Sequence, residues 1–103
     1  MNSPEPSSWQ RAVLPLLLLQ ELSTGPAHGY ALGRAIAERG FAPLKGATLY
    51  PALARLEESG LVSTHWEQGE GGPGRKVYEI SSAGRRELES LSAAWATFAA
   101  RVG

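Results

Sequence analysis

A hydroxyl and a guanidinium seven residues apart, Thr48 and Arg55, fall on one side of a helix, since seven residues make about two turns. A threonine there can donate to a phosphate or a base edge, and an arginine can bind phosphate or pair bidentately with guanine. Lys45 lies just ahead of the same segment, and Arg75 with Lys76 forms a second basic pair further along. Tyr30, Tyr50 and Pro51 complete the set that such a partner could touch. No comparable set exists for catalysis. The chain has no cysteine, hence no thiol nucleophile, disulfide or thiolate zinc site, and its two histidines, His28 and His65, are too few for an ordinary catalytic metal centre. Glu57 and Glu58 are neighbours that point about 100° apart on a helix, so they do not form an acid–base pair. Neither a metal nor a cofactor is expected, and the chain does not read as an enzyme.

The chain has 103 residues, enough for one compact domain, with 43% hydrophobic and 19% charged residues. Ten basic residues balance ten acidic ones, so any affinity for nucleic acid must rest on local clusters. The longest apolar run, Ala12 to Leu19, is interrupted by Pro15 and is far shorter than the roughly twenty residues a membrane span needs. Gln20 and Glu21 carry it on as a helix with no small-residue cleavage site behind it. A cytoplasmic protein without membrane contact is expected.

Residues 1–8, with two prolines and three serines, read as a flexible arm. Trp9 to Ser23 carries leucines on nearly every side of a helical wheel, which demands cover on several faces; Pro15 either sits in the first turn of this helix or kinks it. Thr24-Gly25-Pro26 is a turn, and a second helix runs to about Arg39, with His28 at its start as a partner for the helix end. In the third helix Leu49, Leu53 and Leu56 form the core stripe. Setting Thr48 as its N-cap leaves Pro51 at the third helical position, where the missing amide has no intrahelical partner to lose. Thr48, Pro51 and Arg55 then share the solvent side.

Leu61 to Glu67 and Arg75 to Ile80 read as two strands joined by a glycine-rich loop, Gln68 to Gly74, and Trp66 and Tyr78 are expected in core or cross-strand packing. Ser81 caps a last helix from Ser82 to about Val102. Its apolar residues, Leu88, Leu91, Trp95, Phe98 and Val102, follow spacings of three, four, three and four, which is a heptad seam. One small core cannot bury this seam as well as all faces of the first helix, so a symmetric homodimer through it is expected. Trp95, midway along the seam, could stack with its symmetry mate or leave a cleft for a small planar apolar effector, with Trp9 on the same wall.

Three helices, a two-stranded β-hairpin wing and one more helix give a mainly α fold: a winged helix-turn-helix over residues 9–80 and a dimerisation helix over 81–103. In that arrangement the third helix enters the major groove and the wing touches the neighbouring backbone. Tyr30 and Tyr50 are open between bracing the core and touching DNA. A protein-binding module on the same fold is the alternative.

The stretches His28-Gly29-Tyr30, Gly46-Ala47-Thr48-Leu49-Tyr50-Pro51-Ala52-Leu53-Ala54-Arg55-Leu56-Glu57, Gly60-Leu61-Val62, Gly74-Arg75-Lys76-Val77-Tyr78 and Ala83-Gly84-Arg85 resemble the PadR family of bacterial transcriptional repressors. The resemblance implies a dimer that binds a pseudo-palindromic operator in double-stranded DNA and releases it on binding a small molecule. It also implies that Thr48, Tyr50, Pro51 and Arg55 belong to the recognition helix and Arg75 and Lys76 to the wing. One helix after the wing matches the short-tailed members, which places any inducer between subunits. The acidic residue in Gln68-Gly69-Glu70 departs from a basic wing tip.

Overall fold

The computed structural model describes residues 7–69 and 71–103. Most of the expected arm, residues 1–6, and Glu70 of the wing loop lie outside the described residues. In order, the elements are α1 (Ser7–Leu22), β1 (Ala27–His28), α2 (Gly29–Glu38), α3 (Gly46–Glu58), β2 (Val62–Glu67), β3 (Arg75–Ile80) and α4 (Ser82–Val102). Among the described residues no helix is long and apolar enough to cross a membrane.

The leucines of α1 need cover on several sides, and they get it. Leu14, Leu16, Leu17, Leu18, Leu19 and Leu22 are all buried, so α1 is the central element, with α2, α3, β3 and α4 packed around it. Because α1 starts at Ser7, two residues before the expected Trp9, Pro15 falls in the helix interior rather than its first turn. A proline there leaves the carbonyl of Arg11 without its intrahelical partner. α2 contributes Leu32 and Ile36 to the core, α3 contributes Leu49, Ala52, Leu53 and Leu56, and the sheet contributes Val62, Tyr78 and Ile80.

The sheet has one strand more than the hairpin read from sequence. Ala27 and His28, on the way into α2, pair antiparallel with Tyr78 and Val77, giving the order β1-β3-β2. The hairpin register runs from Val62 opposite Ile80 to Glu67 opposite Arg75. His28 takes the N-cap position of α2 but makes no side-chain cap; its Nδ1 is buried without a hydrogen-bond partner. Of the two packings expected for Trp66 the core one is ruled out: it is 71% exposed on the wing, opposite Lys76, whereas Tyr78 lies in the core.

The junction between wing and α4 is tight. Ser81 caps α4 as expected, its hydroxyl accepting from the Gly84 amide at 3.0 Å and donating to the Gly60 carbonyl at 2.7 Å. One hydroxyl thus ties the turn after α3 to the start of α4. At Gly84 a Cβ would overlap the Leu61 carbonyl oxygen and the side chain of Ile80. Backbone cannot yield as a flexible side chain can, so Gly84→Ala should lower the stability by about 1–3 kcal/mol or more. Urea unfolding measures this, and an unchanged midpoint would show that α4 can shift freely at its start.

Candidate nucleic-acid interface

The structure moves the start of α3. Its N-cap is Lys45, whose extended backbone carbonyl accepts from the Thr48 and Leu49 amides at 2.9 Å each, with no side-chain cap. Thr48 is therefore the third helical residue and not the cap. Pro51 lies well inside α3, and the carbonyl of Ala47 loses its intrahelical partner. The favoured chemistry of a threonine cap pointed to the later start, but an N-terminus open to water needs no side-chain cap. Lys45 remains exposed at that end, where the helix dipole favours an anion.

Burying Leu49, Ala52, Leu53 and Leu56 leaves α3 with an outer face and two flanks. Ala47, Pro51, Ala54 and Arg55 are exposed outward. The two alanines escaped the sequence reading because they carry no polar group, yet small residues on an outer helix face allow close approach to thymine methyls. One flank is taken up by packing. Tyr50 lies against the first residue of α2, where a Cβ on Gly29 would come within 2.6 Å of its ring, and it stays about half exposed. Tyr30, on α2, is 72% exposed and braces no core.

On the same flank Glu57 joins α3 to the wing. Its carboxylate accepts from the Thr64 hydroxyl at 2.8 Å and from Lys76 Nζ at 3.2 Å. Lys76 also sits over the Tyr78 ring, 5.5 Å from its centroid. Of the two basic residues expected at the wing, Arg75 is exposed opposite Glu67 while Lys76 is engaged with α3. The carboxylate of Glu57 is thus paired with the Lys76 ammonium rather than left alone beside the wing.

At the other end of the molecule the seam residues divide. Leu88 and Leu91 pack against the subunit's own core, while Trp95, Phe98 and Val102 are exposed. The rings of Trp95 and Phe98 lie 6.1 Å apart, tilted by 38°. These three residues wall an apolar groove of about 600 Å³ between α4 and α1, and Trp9, Val13 and Leu16 form its opposite wall. Trp9 and Trp95 therefore share one groove. Gln10, one of its lining residues, is buried and holds Ala42 of the α2–α3 connection by two hydrogen bonds of 2.9 Å, one in each direction. At the rim Arg39 is tied to Glu21 at 3.0 Å and to Gln20 at 2.8 Å.

Hydrogen bonds from Thr64, and then from Lys76, hold the Glu57 carboxyl below its ordinary value. A depressed folded-state value stabilises the fold above the ordinary carboxylate range, and that contribution is lost as pH falls through the depressed value. Glu57→Gln should therefore flatten part of the acid-side fall in thermal midpoint. Melting curves collected from about pH 7 to about pH 3 test this, and parallel profiles for the two proteins would show the clip to be without energetic weight.

Residues 18–90 match the sequence model of the transcriptional regulator PadR-like family. The chain is 35% identical over 80 residues to the transcriptional regulator Rv3488 of Mycobacterium tuberculosis, covering 78% of this chain and 73% of that one. It is 38% identical over 87 residues to an uncharacterised 37.1 kDa protein in transposon TN4556 of Streptomyces fradiae, where the match takes in 84% of this chain but only 24% of that protein. Among solved structures, a PadR family regulator from Eggerthella lenta superposes with a TM-score of 0.86 at 37% identity, over 94% of this chain and 84% of that one. Bacillus subtilis PadR, solved in complex with operator DNA, gives 0.70 at 25% identity, over 77% and 46%. Both the sequence match and the shared winged-helix architecture lead to one conclusion: the chain belongs to the PadR-like family of transcriptional regulators.

Proposed function

We propose that this regulator acts as a homodimer on a pseudo-palindromic operator in double-stranded DNA, as a repressor released by a small planar apolar inducer. Residues 9–80 form the DNA-binding unit and residues 81–103 join the copies. The observation that carries this is the outer face of α3, where Ala47, Pro51, Ala54 and Arg55 are exposed. Thr48, Pro51, Arg55 and Lys45 contact the duplex from α3 and its N-terminus, Arg75 from the wing, Tyr30 from α2 and Tyr50 from the flank of α3 beside it. Lys76 serves from the second rank, through Glu57. The likeness to a PadR solved on its operator supports this reading.

Dimerisation answers two needs. Trp95, Phe98 and Val102 are exposed, and burying a large apolar side chain contributes about 1.5–3 kcal/mol. A neutral chain with a handful of free cations binds one half-site weakly, and linking two copies makes the second contact nearly intramolecular. The inducer fits the α1–α4 groove between Trp9 and Trp95, beside the seam. A winged helix that binds only protein is the competing function, and duplex binding decides between them.

If Arg55 reads a base edge, Arg55→Ala should weaken binding to the DNA upstream of the protein's own coding sequence by about 1–3 kcal/mol. A titration curve identical to that of the unaltered protein would remove Arg55 from the interface, and no salt-dependent binding at all would favour the protein-binding reading. Trp95→Glu would place like charges across the seam and should yield monomers in sedimentation; an undisturbed dimer would relocate the interface.

A further inference from the structure

The flank of α3 away from Tyr50 opens on a second, smaller groove of about 290 Å³. Arg11 and Pro15 of α1 form one side of it, and Ala47, Thr48, Pro51 and Arg55 of α3 the other. Arg11, Leu14 and Pro15 stand at i, i+3 and i+4, so they share one face of α1. Leu14 is buried, and Arg11, one turn earlier, emerges exposed at the edge of α3. Residues 44 positions apart thus bring a second guanidinium alongside Arg55, a proximity that periodicity within either helix could not reveal.

The chemistry of this groove is one-sided. Its walls carry two guanidiniums and one hydroxyl and no carboxylate. Among the described residues neither Arg11 nor Arg55 has a carboxylate partner, whereas Arg39 and Lys76 each have one. The two carbonyls freed by Pro15 and Pro51 also lie on residues of this groove, but they are partial charges that water can satisfy, set against two full ones. Two like charges across a small groove repel, and an anion between them turns that repulsion into attraction. Guanidinium forks and a hydroxyl match the oxygens of a phosphate.

We propose that this groove is a phosphate site in which Arg11 and Arg55 clamp one backbone phosphate of the duplex, with Thr48 donating to it. It makes Arg11 a DNA contact supplied by α1, outside the helix-turn-helix and the wing. The proposal rests on the DNA-binding function argued above and gives Arg55 its phosphate role. Such a contact strengthens binding to all duplexes alike, because the backbone carries no sequence.

The test compares the full chain with Arg11→Gln and Arg11→Lys, titrated across salt concentrations with the DNA upstream of its own coding sequence and with a duplex of random sequence. Arg11→Gln should lower the slope of log affinity against log salt by about 0.9 for each phosphate released, on both duplexes, and Arg11→Lys should keep it. A wild-type slope for Arg11→Gln, in a protein that melts normally, overturns the site while leaving the DNA reading standing. A wild-type protein that grips neither duplex overturns both. If inorganic phosphate alone shifts the Arg11 resonances saturably while the duplex slope is insensitive to Arg11→Gln, the groove is a free-anion site and the proposal is wrong.

Discussion

Enclosure of α1 is the constraint on which the rest of the molecule depends. Four successive leucines, Leu16 to Leu19, all buried, leave the second half of this helix no side it can give to water. α2 and α3 must lie against it together, the sheet must close over it through Val62, Tyr78 and Ile80, and the first half of α4 must cover what remains. The outer face of α3 is exposed because its opposite face is held on this pillar. The same packing brings Arg11 beside Arg55 on one side, and the α1–α4 groove opens on another.

Two polar devices then fix the angles that burial alone leaves loose. Glu57 ties α3 to both wing strands through Thr64 and Lys76, which sets the helix against the wing. Gln10 pins Ala42, so the connection into α3 is held by a residue that also lines the apolar groove. Both are side chains whose hydrogen bonds are directional where apolar packing is not. A binding surface spread over a helix, a loop and a helix end needs that kind of rigidity, since misplacing one contact loses it for all.

Much of this was legible in the residues. The order of the helices and the two hairpin strands, the span Arg75 to Ile80, the Ser81 cap and the split of α3 into a leucine stripe and an outer side all follow from periodicity and capping chemistry. What escaped was long-range. β1 is two residues whose strand character exists only because β3 lies beside them. Thr48 looked like a cap because local preference favours it, and the helix began earlier at Lys45. Trp66 is of a type that favours the core and shares its side of β2 with Val62 and Thr64, but it lies beyond them toward the loop, where it is 71% exposed. Lys76 read as a free cation, and only the approach of α3 to the wing gives it Glu57. Apart from the cap, each miss concerns a neighbour distant in sequence, which no local pattern encodes.

In the proposed function a net charge of zero makes the pairing of two such domains decisive, because one copy would supply only a modest positive field to DNA. Hydroxyl-radical footprinting of the purified protein on the DNA upstream of its coding sequence tests this most directly. Two symmetric patches of protection, separated by about one helical turn of 10–10.5 base pairs or a multiple of it, are the expected result. A single patch, or uniform protection that disappears without ever resolving into a pair, contradicts twin recognition helices facing one duplex.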